Sequence, residues 1–243
     1  MNFHKINIPK NNGKVRVIYI VDNDHKLLLK SNFPYLEKRL SELDKIHVNY
    51  AFEKGKNCVE NALQHIGYNY TLSIDLADFF DSVKKTHVNG ILDSEIIELC
   101  FIKGSPRQGL PTSPLIATIS FLKCDELICS QLKKYKLDVV YTRYADDLTF
   151  SFNNKNDSGK ILFIAKQAIE QFGFKINTQK TKLQDIRNGR IIINGLAIDK
   201  KGIYPTRKTK KKIRAATHQQ KELQLKGLIE WSKCKLPKQI TEA

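Results

Sequence analysis

Cysteine is scarce and shows no pairing pattern: Cys58, Cys100, Cys124, Cys129 and Cys234 are odd in number, and no two of them form a CxxC. The sequence therefore signals neither a disulfide framework nor a zinc site, and the thiols are expected to be small buried residues in a reducing compartment. Long apolar runs are missing too. The longest, such as residues 114–122, falls well short of the ~20 residues a bilayer span requires. The opening MNFHKINIPKNNGK has no apolar stretch followed by a cleavage site, so the expectation is a soluble, cytoplasmic chain with no membrane partner. Internal repeats and low-complexity tracts are also absent, which excludes a solenoid or a disordered linker.

Acidic residues are in deficit. Against 41 Lys and Arg stand 25 Asp and Glu, a formal net charge of +16 that points to a polyanionic partner, with nucleic acid foremost. Residues 200–243 hold 13 of the basic residues and 3 Glu, so the carboxyl-terminal stretch carries most of the excess and reads as a grip. A length of 243 residues is enough for a large core, as one domain or two closely joined lobes.

The pattern alternates between strand and helix signals. INIPKNNGKVRVIYI reads as two strands around an Asn12-Gly13 turn, with Lys14 and Arg16 on the hairpin. Residues 26–43 have helical apolar spacing with Pro34 as a break or restart, and residues 57–65 form a second helical patch. YTLSIDLADFF is a strand ending at Asp75. The turn-rich GSPRQGLPTSP feeds an apolar helix over residues 115–132. An amphipathic helix is expected over residues 159–172. FKIN reads as a short strand and RIIINGLAI as another, interrupted by glycine. From Pro205 a basic helix runs to about Gln224, with another around residues 228–231.

In YTRYADDLTF, residues 141–150, two adjacent aspartates sit at the tip of an apolar hairpin. Carboxylates held this close repel, so either the tip is bare to water or a cation belongs there. Aspartate is also a common turn former. With Asp75, the pair Asp146 and Asp147 offers three oxygen-only ligand groups. Such groups suit Mg²⁺, and two ions about 4 Å apart activate an attacking oxygen and stabilise a leaving one in phosphoryl transfer.

In order and context these motifs resemble the reverse transcriptases, most closely the bacterial retron type. IDLADFF is similar to the first palm motif, RQGLPTSP to the glutamine-glycine motif, and YADD to the metal-binding hairpin. INTQKT is similar to the lysine motif and INGL to the primer-grip region. The likeness runs from about Ile8 to Trp231, and five ordered motifs are far more specific than YADD alone. It implies an α+β right-hand polymerase with fingers over residues 1–71, a palm with an antiparallel sheet over 72–199, the 104–114 loop facing the fingers, and a short basic helical thumb over 200–243.

The resemblance also implies roles. Asp75, Asp146 and Asp147 are the catalytic metal ligands, taking two Mg²⁺ with Mn²⁺ as a substitute. Phe80 is the bulky residue beneath the incoming sugar, excluding a 2′-hydroxyl by volume. Gln108 and Gly109 lie against the nucleotide, Lys14 and Arg16 contact its triphosphate, and Lys180 faces departing pyrophosphate. NALQH is similar to the NAxxH signature, which assigns Asn61 and His65 to RNA. Asn194, Gly195 and Leu196 fall to the primer, and Lys208, Lys211, Lys212 and Arg214 to duplex phosphates. The implied partners are deoxynucleoside triphosphates, a structured non-coding RNA template, an RNA–DNA duplex and an effector protein in antiphage defence.

Some positions depart from the retron pattern, which usually has Val-Thr-Gly at 193–195, Ala at 110 and often Pro at 81. Here these are Ile193-Asn194-Gly195, Leu110 and Asp81. No proposed ligand is lost, but a defence-associated or intron-type reverse transcriptase stays open. So do a polymerase-shaped RNA binder without activity and an RNA-dependent RNA polymerase.

Overall fold

In a computed structural model of the chain, which describes residues 3–9, 13 and 15–236, the amino-terminal hairpin forms where its sequence places it. β1 (Phe3–Pro9) pairs antiparallel with β2 (Val15–Val21), setting Ile8 opposite Arg16. Gly13 has φ +74°, the left-handed geometry an Asn-Gly turn supplies. Lys14, expected to contact a triphosphate, lies outside the described residues, as does Asn12.

The expected break near Pro34 separates α1 (Asn23–Ser31) from α2 (Phe33–Leu43), with proline in the first turn of α2, where its missing N–H costs nothing. Then follow α3 (Cys58–Leu63), β3 (Tyr70–Asp75), α4 (Phe79–Ser82) and α5 (Ser94–Cys100). The long α6 (Ser113–Lys134) precedes β4 (Val139–Tyr144), β5 (Asp147–Phe152) and α7 (Ser158–Gln171). β6 (Lys182–Asp185), β7 (Ile191–Ile193), β8 (Leu196–Asp199) and β9 (Gly202–Pro205) lead into α8 (Arg207–His218) and α9 (Glu222–Ser232).

Three sequence expectations change. RIIINGLAI is two strands rather than one: β7 turns into β8 at Asn194 and Gly195, both with positive φ (46° and 80°), so the glycine is a hairpin turn and not an interruption. FKIN contributes only an isolated bridge between Ile176 and Leu76. Pro205 closes β9 instead of opening a helix. Thr206 caps α8, its hydroxyl accepting from the Thr209 N–H at 3.2 Å, and the helix stops at His218 before Gln220 turns left-handed.

The chain divides into two compact units that interleave along the sequence. One gathers residues 1–47, 76–128 and 166–176, and the other residues 48–75, 129–165 and 177–243. Within the first, Phe79, Phe121 and Phe174 form an aromatic core with ring centroids 5.0–5.8 Å apart. Within the second lies an antiparallel sheet in the order β4-β5-β3-β6, with a smaller sheet β7-β8-β9. Tyr141 stacks on Phe150 at 4.6 Å, and Leu72, Ile74, Leu148, Phe150 and Phe152 are all buried. Along β3 and β5 these apolar residues alternate with Thr71, Thr149 and Ser151, which are buried as well, so the second face of the sheet is covered although its residues are polar. Cys58, Val59 and Ala62 of α3 pack against Ile191, Ile193, Leu196 and Ile198, which fastens that helix to the β7–β8 hairpin.

Candidate active site

Strand register brings the acidic residues together. β3 pairs with β5 so that Asp75 lies opposite Asp147, and β4 with β5 so that Tyr144 also faces Asp147. Ala145 and Asp146 are thus the two-residue turn of the hairpin, and Ala145 takes φ +57°. A non-glycine residue at positive φ carries strain that persists only where the surroundings fix the backbone, and here the ladders on both sides of the turn do so. The sequence expectation of an antiparallel sheet carrying Asp75 beside the aspartate hairpin is met.

Asp75 is 7% exposed and tied down: its Oδ2 accepts from Lys180 Nζ at 2.8 Å, and its Oδ1 from Asn177 Nδ2 at 3.0 Å. The bond to Asp75 raises the Lys180 pKa, so that ammonium stays charged. Asp147 accepts from Asn194 Nδ2 at 3.2 Å. Burial first, then the charges of Asp146 and Asp75, push the Asp147 carboxyl up to about 6, with Lys180 and Asn194 opposing. A cavity of about 510 Å³ opens here, lined by Ser73, Asp75, Asp147, Lys180 and Asn194 among others.

The donors suit a divalent cation in kind, because they are carboxylates alone and their mutual repulsion is what positive charge would relieve. They are gathered but not closed on one point. Among the described residues no three His, Cys, Asp or Glu side chains already converge as an ion site, and the Lys180 ammonium is the cation beside Asp75.

The remaining expected site residues are spread over both units. In the first unit Phe80 is half-buried, its ring 5.8 Å from that of Phe79, and Arg16 is exposed on β2. Gln108 accepts the Tyr19 N–H through its backbone oxygen at 2.7 Å, leaving its side chain for other partners. Gly109 has φ +107°, and a Cβ there would meet the Tyr19 oxygen at 2.3 Å. Glycine is thus required by the approach of strand β2, a reason the motif did not reveal.

In the second unit, Asn61 and His65 are not at the surface. Asn61 is 0% exposed and donates to Asn194 Oδ1 at 2.5 Å. His65 is 1% exposed, its ring nitrogens 2.9 Å from Ser151 Oγ and 2.7 Å from Thr142 Oγ1, and burial lowers its pKa to about 3. It is a neutral tie between α3's carboxyl-terminal turn and the sheet. Leu196 is 0% exposed in the apolar cluster. Direct contact with RNA or primer, expected for these three side chains, is corrected by their burial. Gly195 is exposed, and Lys208, Lys211, Lys212 and Arg214 project from α8 into solvent. A second cavity of about 650 Å³ is lined by Arg190, Arg207, Lys208 and Lys210 with Gly195 and Pro205. The sequence reading missed Arg207 and Lys210, which are only part of a charge run, Arg190, which stands between Gly189 and Ile191 outside that run, and Asn177, three residues before Lys180 in INTQKT.

Residues 8–190 match the family described as reverse transcriptase (RNA-dependent DNA polymerase). Among curated proteins the chain is 34% identical over 217 residues to the retron Ec73 reverse transcriptase of Escherichia coli, covering 80% of this chain and 68% of that one. It is 33% identical to the retron Ec86 reverse transcriptase of the same organism (75% and 59% covered), and 27% identical to the retron Mx65 reverse transcriptase of Myxococcus xanthus (88% and 55%). It thus spans little more than half of the latter two. Among solved structures, an apo telomerase from Candida tropicalis superposes with TM-score 0.60 at 16% identity, covering 81% of this chain and 46% of that one. A foamy viral protease-reverse transcriptase in complex with double-stranded DNA superposes with TM-score 0.56 at 18% identity, covering 88% and 32%. The fold is that of the α+β right-hand polymerases.

Proposed function

The chain belongs to the reverse transcriptase family, RNA-directed DNA polymerases, and is of the retron type; from that premise we propose that it copies a structured non-coding RNA into DNA by nucleotidyl transfer at the Asp75–Asp147 end of its sheet. The observation that carries this reading is the register of β3 against β5, which sets Asp75 opposite Asp147 with Asp146 on the adjoining turn.

In this reading Asp75, Asp146 and Asp147 hold the divalent ions, Mg²⁺ with Mn²⁺ as a substitute. Bound there, the ions would lower the cost of exposing the primer oxygen as a nucleophile and offset the charge that gathers on pyrophosphate. Lys180, charged and exposed along its stem, leaves Asp75 and turns to the phosphate that departs. Phe80 lies under the sugar and excludes a 2′-hydroxyl by volume. Gln108 and Gly109 shape the nucleotide pocket, Arg16 offers a bidentate fork to the triphosphate, and Lys14 serves beside it. Lys208, Lys211, Lys212 and Arg214, joined by the basic cavity at Arg190 and Arg207, grip duplex phosphates. Positioning and charge supply most of the rate. Fingers, palm and thumb over residues 1–71, 72–199 and 200–243 remain our division of labour, in the cytoplasm, with an effector protein as partner in antiphage defence.

One observation favours a second reading: Asp75 is engaged by Lys180 and Asn177, as it would be in an RNA binder that no longer polymerises. Extension of a primed RNA template with Mg²⁺ and labelled deoxynucleotides separates the two. DNA product supports the polymerase, and none on any template, including RNA that copurifies with the protein, supports the binder.

A further inference from the structure

Asn194 occupies the first position of the two-residue turn between β7 and β8, where Ile193 faces Leu196. The positive φ values at Asn194 and Gly195 are those the turn demands, and asparagine bears them better than most side chains. The turn therefore fixes where the Asn194 amide stands, but not which way round it lies. A primary amide offers an acceptor oxygen on one side and a donor nitrogen on the other, and the two orientations have nearly the same shape.

What sets the orientation is Asn61. Its Nδ2 donates to Asn194 Oδ1 at 2.5 Å, which leaves the Asn194 nitrogen to donate to Asp147 Oδ2 at 3.2 Å. Asn61 is 0% exposed on α3, and that helix is packed by Cys58, Val59 and Ala62 onto the strands that carry the Asn194 turn. Its own Oδ1 is buried with no hydrogen-bond partner. Turning Asn61 over would set that oxygen against the oxygen of Asn194, so the unpaired acceptor is the cost of holding the donor inward.

We propose that Asn61 is a positioning residue for the candidate metal site: through Asn194 it presents an N–H to Asp147 and holds that carboxylate in one rotamer for a divalent cation. The inference rests on the reading of Asp147 as a metal ligand. It also gives the NALQH stretch a task inside the protein. Hydrogen-bond partners behind a ligand fix its orientation, and their loss lowers metal affinity by about 10-fold or more.

The test measures Mn²⁺ binding to the full chain freed of nucleic acid and nucleotide, from the electron paramagnetic resonance signal of free Mn²⁺, beside a thermal melt of each variant. Asn194→Gly keeps the positive φ and deletes the amide. The expected result is about 10-fold weaker binding for Asn194→Gly and for Asn61→Ala, with the double variant no weaker than Asn194→Gly alone. Should Asn61→Ala fail to melt cooperatively, Asn61→Ser takes its place under the same criteria. Binding by Asn194→Gly like that of wild type overturns the proposal, as does an Asn61 variant that melts earlier yet binds Mn²⁺ normally, or effects that multiply in the double variant. Asp147→Asn distinguishes the levels. If it binds as wild type does, or wild type takes up no Mn²⁺, the metal reading falls and the proposal with it; if it alone loses binding, only the proposal falls.

Discussion

Asp75 and Asp147 face each other across one antiparallel ladder, though 72 positions of sequence separate them. Antiparallel register is set by the different chemistry of the two strand faces, because a slip of one residue would turn Leu148 and Phe150 onto the side where Thr149 and Ser151 now lie. The apolar residues of β3 and β5 therefore place the two carboxylates with the accuracy of core packing. Asn177 and Lys180 then meet Asp75 from the chain entering β6.

Gly109→Ala is expected to destabilise the protein by about 2–4 kcal/mol, because it combines an unfavourable positive φ with a Cβ driven into the Tyr19 backbone. Chemical denaturation of the two proteins measures it. A change within a few tenths of a kcal/mol would mean that strand β2 can withdraw without penalty.

Phe80→Ala is expected to leave deoxynucleotide incorporation largely intact while raising ribonucleotide incorporation by about 10-fold or more, since a phenyl ring is the volume said to exclude the 2′-hydroxyl. Single-nucleotide incorporation with each substrate reads this out. Unchanged sugar preference would return Phe80 to the aromatic core beside Phe79.

His65 is expected to make the fold acid-sensitive. Its folded pKa, lowered to about 3 by burial, lies below the ordinary 6.5, so the unfolded chain binds the extra proton between these values. The neutral-His contribution is complete above about pH 6.5 and is lost as pH falls towards 3. Asp147, raised to about 6, acts in the opposite sense between about pH 4 and 6, so the comparison is between variants. His65→Gln should show a shallower fall in melting temperature below pH 6.5 than wild type. Parallel curves would place the titrating group elsewhere.

Lys208, Lys211 and Lys212 are expected to contribute to affinity through phosphates. Each replacement by Ala should weaken duplex binding evenly across sequences and reduce the slope of log affinity against log salt by about 0.7–0.9 for each phosphate no longer neutralised. An unchanged slope would show that α8 does not touch the backbone.

Much of this was legible in the sequence because periodicity and turn chemistry are local. The alternation around Tyr141 and Phe150 and the proline at 34 each announced their element. The acidic triad and its sheet were legible through motif order. What stayed hidden depends on the third dimension. Nothing local says that Asn61 and His65 point inward, since a polar residue in a short helix is more often exposed than paired in a core. The Asn194-Gly195 hairpin was hidden for a different reason: both of its arms are apolar, so the glycine read as a flaw in one strand. The need for Gly109 came from the nearness of Tyr19, 90 positions away in sequence.

The most direct measurement compares wild type with Asp146→Asn in extending a primed RNA template with deoxynucleotides and Mg²⁺, with RNA affinity determined in parallel. Extension should fall by about 100-fold or more, as expected when preorganised charge at the reacting phosphate is lost, while RNA affinity stays within about two-fold because the basic surface is untouched. Extension by Asp146→Asn at the wild-type rate would contradict the assignment of the hairpin aspartates to metal-assisted nucleotidyl transfer.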